Sequence, residues 1–232
     1  MCNSMKIAVL YDILGNYFAL EAVLKEIEHQ NIDVIIVGGN IVWGPHPLEV
    51  LDLLRQCPIK KQFIRGNTER ELFNSSCDVM ASQGYFSEMY TWCLSKLTAQ
   101  DVKWLGAMQS TFVYENILFV HASPRSDTEG IRKTTADAEI SEMLKNVQQE
   151  IVVCGHTYRQ FTREIGNQIV VNAGSVGLQM DSKGACWLMI DDAGIQFMET
   201  DYNFEIAAME MMHSHCPRRQ EFASHLLESS LE

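Results

Sequence analysis

Apolar residues follow two rhythms along this chain. In the first they crowd together. Runs opening at Ile7 and spanning 32–37, 117–120 and 151–154 are almost wholly apolar and rich in Val and Ile. That is the mark of short strands covered on both faces. Further strands are predicted at Lys61–Ile64, Thr111–Tyr114, Ile169–Val171, Ala185–Ile190 and Ile195–Glu199, the last two joined by the hairpin turn signal Asp191-Asp192-Ala193-Gly194. In the second rhythm apolar residues recur every three or four places. Phe18, Ala19, Ala22, Val23 and Ile27 form one stripe, with Glu21, Lys25, Glu26 and Glu28 turned to water and Asn16 as N-cap. Ile140, Leu144 and Val147 form another inside a helix predicted over Thr135–Gln149. Helices are also expected at Leu48–Gln56 behind Pro47, at Tyr85–Leu97, and at Ala99–Met108 behind the N-cap Thr98. Two more cover Phe204–His213 and the stretch after Pro217 to the end. Strands alternating with helices predict an α/β domain with a partly parallel sheet. No Pro- or Gly-rich linker divides the chain, so 1–232 reads as one domain. Its core covers about 6–200, with a helical insertion at about 71–110 and a helical tail at about 203–232.

The apolar runs end alike. Asp12, Asn40, Asn67, His121 and His156 each follow the carboxyl end of one, mostly beside a glycine or another small residue. Strands of one sense place them on a single rim, where α/β sheets bind ligands. Oxygen and imidazole donors from several strands are how a hydrolytic divalent-metal site is assembled. Taken singly, a histidine after a strand is more often a hydrogen-bonded structural residue than a ligand; five such ends together favour the site.

Composition narrows the setting. The net charge of −12 leaves no basic stripe for a nucleic-acid backbone or an anionic membrane. A small anionic ligand stays compatible, because one local cation reverses the field in a pocket. Seven scattered cysteines with no C-x-x-C pair argue for reduced thiols rather than a disulfide framework or structural zinc. Neither a signal-peptide core nor a membrane-length apolar run is present, so a cytoplasmic protein is expected.

The order of the motifs carries a resemblance. Asp12-Ile13-Leu14-Gly15-Asn16, Gly39-Asn40 with Trp43-Gly44-Pro45, and Gly66-Asn67-Thr68-Glu69 are followed by Val120-His121-Ala122-Ser123-Pro124-Arg125, Gly155-His156-Thr157-Tyr158 and Asn172-Ala173-Gly174-Ser175-Val176-Gly177. This succession resembles the calcineurin-like metallophosphoesterases, in particular their small prokaryotic phosphodiesterases and phosphatases. The resemblance implies a four-layer α-β-β-α sandwich with a two-metal site on one edge. It also shows where the chain departs from the family pattern. At the first metal's positions stand Asp12, Leu14, Asn40 and Tyr158; leucine has no lone pair, and tyrosine ligates only as an unusual phenolate. At the second metal's positions stand Asn40, Asn67, His121 and His156, all able to offer O or N but none anionic. Thr68 occupies the place of the histidine that assists the leaving group, and a hydroxyl is a poor general acid.

The resemblance therefore implies a phosphoesterase fold with a degenerate dinuclear site, impaired or inactive, retained to bind a phosphorylated small molecule, a nucleotide or a partner. At most one divalent transition metal (Mn, Zn, Ni or Fe) is expected there. The alternative is a phosphodiesterase or phosphatase working with one metal, and a third reading is a pure interaction scaffold. Arg125 is the candidate substrate-binding residue, since a guanidinium suits a phosphate. A homodimer is compatible with the family, and no protein partner is indicated.

Overall fold

In the computed structural model, residues 5–77 and 87–228 are described. The strands are β1 (Ile7–Leu10), β2 (Val34–Val37), β3 (Lys60–Phe63), β4 (Thr111–Tyr114), β5 (Ile117–Val120), β6 (Ile151–Cys154), β7 (Gln160–Ile165), β8 (Gln168–Ala173), β9 (Ala185–Asp191) and β10 (Gly194–Thr200). The helices are α1 (Tyr17–Glu28), α2 (Pro47–Gln56), α3 (Asn67–Cys77), α4 (Ser87–Lys96), α5 (Ala99–Gly106), α6 (Asp137–Leu144), α7 (Phe204–His213) and α8 (Arg219–Glu228).

The strands form two five-stranded mixed sheets, ordered β10-β9-β1-β2-β3 and β4-β5-β6-β8-β7. Parallel pairing runs through β1, β2 and β3 in one sheet and β5, β6 and β8 in the other, so the ends of these strands gather on one edge. Alternation along each strand explains the layers. Ile7 and Val9 of β1 meet Phe119, Val153 and Val171 of the second sheet between the two sheets. Ala8 and Leu10 face the other way, onto Ala19, Leu20, Val23 and Ile27 of α1 and Val50, Leu51 and Leu54 of α2. On the far side, Leu118, Val120, Val152 and Val170 pack against Ile140, Met143 and Leu144 of α6. Both faces of each sheet are covered, which is why these strands read as unbroken apolar runs. The result is the expected α-β-β-α sandwich.

Local signals behave as their chemistry requires. Asn16 Oδ1 accepts the amide of Ala19, Pro47 opens α2, and Thr98 forms a reciprocal capping box with Asp101. Three expectations need correction. Residues 160–165 form a strand that was not foreseen, residues 67–77 form a helix that begins before the helical insertion expected from about 71, and the helix expected over Thr135–Gln149 contracts to Asp137–Leu144. On the tail helix, Met209 and Met212 are exposed and Met211 is buried. The start at Tyr85 expected for one helix and the run to the chain's end expected for the last one lie outside the described residues. No helix among those described is long and apolar enough to cross a membrane.

Candidate functional site

At the sheet edge, β1, β2 and β6 run directly into loops whose backbone is held in an unusual conformation. Asp12 (φ 52°), Leu14 (φ 50°), Asn40 (φ 55°), His156 (φ 66°) and Tyr158 (φ 60°) all adopt the left-handed region. Non-glycine residues visit it at a cost of about 1–2 kcal/mol each. Cross-loop hydrogen bonds hold them there. Asp12 and Leu14 donate to the carbonyls of Gly39 (3.1 Å) and Asn40 (2.8 Å), and Gly177 donates to that of Asp12 (3.0 Å). Ser175 Oγ donates to the same Asp12 carbonyl at 2.8 Å, and Asn172 Nδ2 to that of Gly155 at 2.7 Å, so both residues pin the rim. Gly44 is required by space, since a Cβ there would lie 1.9 Å from the Leu14 carbonyl oxygen.

The five residues read as a rim do converge. Asp12 is fully buried, and its carboxylate accepts the His156 amide at 2.6 Å and the Asn40 carboxamide at 3.0 Å. Burial pushes its pKa well above the usual carboxylate range, against the pull of these two donors. The oxygen of the Asn40 carboxamide accepts from Thr68, from Oγ1 at 2.8 Å and from N at 3.1 Å. Asn40 thus spans Asp12 and Thr68 through hydrogen bonds, spending both ends of its side chain. Leu14 is buried and offers no donor. Burial, then the nearby Asp12 charge, raises the Tyr158 pKa, so its phenol stays protonated and is no ready ligand.

His121 and His156 lie with ring centroids 5.2 Å apart. His121 Nδ1 sits 2.8 Å from the Gly38 carbonyl, which only accepts, so the proton is on Nδ1 and Nε2 carries a lone pair. That Nε2 faces the Asn67 side-chain oxygen at 3.1 Å. Burial, and then the neighbouring His156, lower the His121 pKa to about 3. His156 is lowered too, chiefly by burial, and its Nδ1 is buried without a hydrogen-bond partner. Two neutral imidazoles, one orphaned nitrogen and a facing amide oxygen suit a single divalent cation. A ligating histidine commonly donates its other N–H to a backbone carbonyl, as His121 does. Among the described residues no group of three or more His, Cys, Asp or Glu side chains is placed to hold a metal ion.

Sequence reasoning missed Glu69. It is fully buried, and its carboxylate accepts the amides of Asn40 (2.8 Å), Ile41 (2.7 Å) and Gly66 (3.0 Å), tying two loops together. Its place after Asn67-Thr68 was the available signal. Arg125 lies beside the site but is exposed and bonded to Glu129 through Nε (2.7 Å) and Nη2 (2.5 Å). His46 is half-buried against Phe18, with an unpartnered Nδ1. Trp43 packs on Phe222 of α8 at 5.5 Å.

Comparison with known proteins adds the following. A profile described as the calcineurin-like phosphoesterase superfamily domain matches residues 5–193. The uncharacterized protein MJ0912 of Methanocaldococcus jannaschii is 25% identical over 190 residues, covering 79% of this chain and 74% of that one. The hypothetical protein PH1004 of Pyrococcus horikoshii superposes with a TM-score of 0.82 at 20% identity, over 96% of this chain and 97% of the other. A metallophosphoesterase from Sphaerobacter thermophilus gives a TM-score of 0.76 at 19% identity, over 98% and 100%. At such identities the structural matches speak for the fold.

Proposed function

The chain belongs to the calcineurin-like phosphoesterase superfamily, and from that premise we propose that its cleft binds a phosphorylated ligand without turning it over at a family-typical rate. The observation that carries this reading is the Asn40 carboxamide, stretched between Asp12 and Thr68. Two dications roughly 3.5–4 Å apart need an anionic group between them to offset their repulsion. A neutral amide already engaged at both ends supplies no such charge. Leu14 and Tyr158 supply no ligand, and Thr68, bonded to Asn40, is no proton donor for a leaving group.

His121, His156 and Asn67 would hold a single divalent transition metal, and such an ion would offer Lewis-acid attraction for a phosphoryl oxygen. The chain's own part is to keep both imidazoles neutral through burial and to fix the His121 tautomer through Gly38. The orphaned His156 Nδ1 favours a second reading, a slow hydrolase working on that one ion. One experiment separates them: metal analysis after incubation with Mn²⁺, Zn²⁺ or Ni²⁺, beside turnover of p-nitrophenyl phosphate and its diester. Near one ion per chain with negligible turnover is expected. Turnover abolished by His156→Ala would establish the hydrolase instead, and two ions at full occupancy would overturn the reading of the site.

A further inference from the structure

A cleft of about 340 Å³ opens beside His121, between the start of β4 and the loop that carries Arg125. What it lacks is as informative as what it holds. Its two cations are already neutralised. Arg70 grips Asp127 through Nε (2.6 Å) and Nη2 (3.1 Å) and also meets Glu71, while Arg125 is held by Glu129. Two guanidiniums facing three carboxylates leave no surplus positive charge to hold a second phosphate. Apart from the His121 imidazole, which is turned to Gly38 and Asn67, no aromatic side chain is among the described residues of its wall, so a nucleobase finds no Phe, Tyr or Trp to stack on. The polar groups that remain are small and of both kinds. Ser110 and Thr111 are exposed and their side chains make no hydrogen bond among the described residues, and the Asp127 oxygens keep lone pairs beyond those given to Arg70. Donors and acceptors side by side, with no positive charge to spare, match alcohol hydroxyls, which play both roles.

We infer that this cleft takes the non-phosphate part of the ligand, and that this part is an uncharged, polyhydroxylated group of sugar size. The inference rests on the reading above, in which the phosphoryl group lies against His121 and His156. Asp127 and Thr111 then select the ligand. A carboxylate already neutralised by an arginine accepts from vicinal hydroxyls without adding charge, and the exposed hydroxyls complete the grip. The lower end of the usual pocket range, roughly 300–1,000 Å³, suits a single ring.

Calorimetric titration of the intact chain with a hexose 6-phosphate, propyl phosphate and adenosine monophosphate tests this. The hexose phosphate is expected to bind about tenfold more tightly than propyl phosphate, the yield of two or so net hydrogen bonds. Thr111→Val, a surface change with no burden on folding, is expected to narrow that ratio about two- to fivefold, and Asp127→Asn further. Equal affinity for the hexose and propyl esters, or tighter binding of the nucleotide, overturns the inference and leaves the phosphate-binding reading standing. Failure of every ester to bind sinks that reading and, with it, this one.

Discussion

At the residue scale the site is governed by a single amide. Asn40 Nδ2 lies 3.0 Å from Asp12 Oδ1, so replacing the amide by a carboxylate sets two negative groups in contact in a buried place. Like charges at that distance cannot both ionise without a cation between them. Asn40→Asp is therefore expected to be less stable than the parent by about 2 kcal/mol without metal. Mn²⁺ should restore it far more than it shifts the parent. Thermal denaturation with and without Mn²⁺ checks both halves; an equally stable metal-free variant would refute the charge argument. Adding Leu14→His, Thr68→His and Tyr158→His should raise metal content and hydrolysis only when Asn40→Asp is present. Glu69 acts by a different means. Its carboxylate accepts three backbone amides at 2.7–3.0 Å, and Glu69→Ala leaves those donors buried and unmet. A loss of about 3 kcal/mol is expected in denaturant titration. The candidate ligands were legible in the sequence because each follows an apolar run. Glu69 stood in the Gly66-Asn67-Thr68-Glu69 motif, but its part as a buried acceptor of three backbone amides was not legible there, since the fold alone sets its burial.

At the element scale, legibility tracked how much of each segment's stability is local. Strands covered on both faces, such as β2 and β6, announce themselves, and capping residues mark α1 and α5. Thr98→Ala should cost about 1 kcal/mol, read as a lowered melting temperature, because it removes one half of the capping box with Asp101. The helix α3 was foreseen only as part of a helical insertion from about 71, without bounds of its own, for a physical reason. Its sequence, NTERELFNSSC, carries few apolar residues, and much of its support comes from packing against α5. The strand β7 was missed on the same ground. Only Phe161 and Ile165 of QFTREI are buried, and pairing with β8 completes it.

At the scale of the whole molecule, the two stacked sheets bury the site and set its charge states. His121, with a pKa of about 3 against an ordinary 6.5, stays neutral in the fold where the unfolded chain would take up a proton. Between those values the unfolded state binds more protons, so stability rises with pH and falls as pH is lowered from 6.5. Going from pH 7 to 5 should cost about 2 kcal/mol through this residue alone. Asp12 and Glu69, whose pKa values burial raises, act with the opposite sign, so the test is differential. Urea unfolding of the parent and of His121→Asn across this range should show the steeper acid loss in the parent; parallel curves would refute it. The sequence by itself determined the apolar runs and the α/β class, because covering both sheet faces is a local demand repeated along the chain, and its ordered motifs carried the family, the sandwich that the resemblance implies, and the identity of the rim residues. Only the tertiary structure decided what those residues do to one another. The left-handed loops, the engaged ends of Asn40, the His121 tautomer and the neutralised arginines all arise between segments distant in the chain, where distance and burial, rather than residue type, set the chemistry.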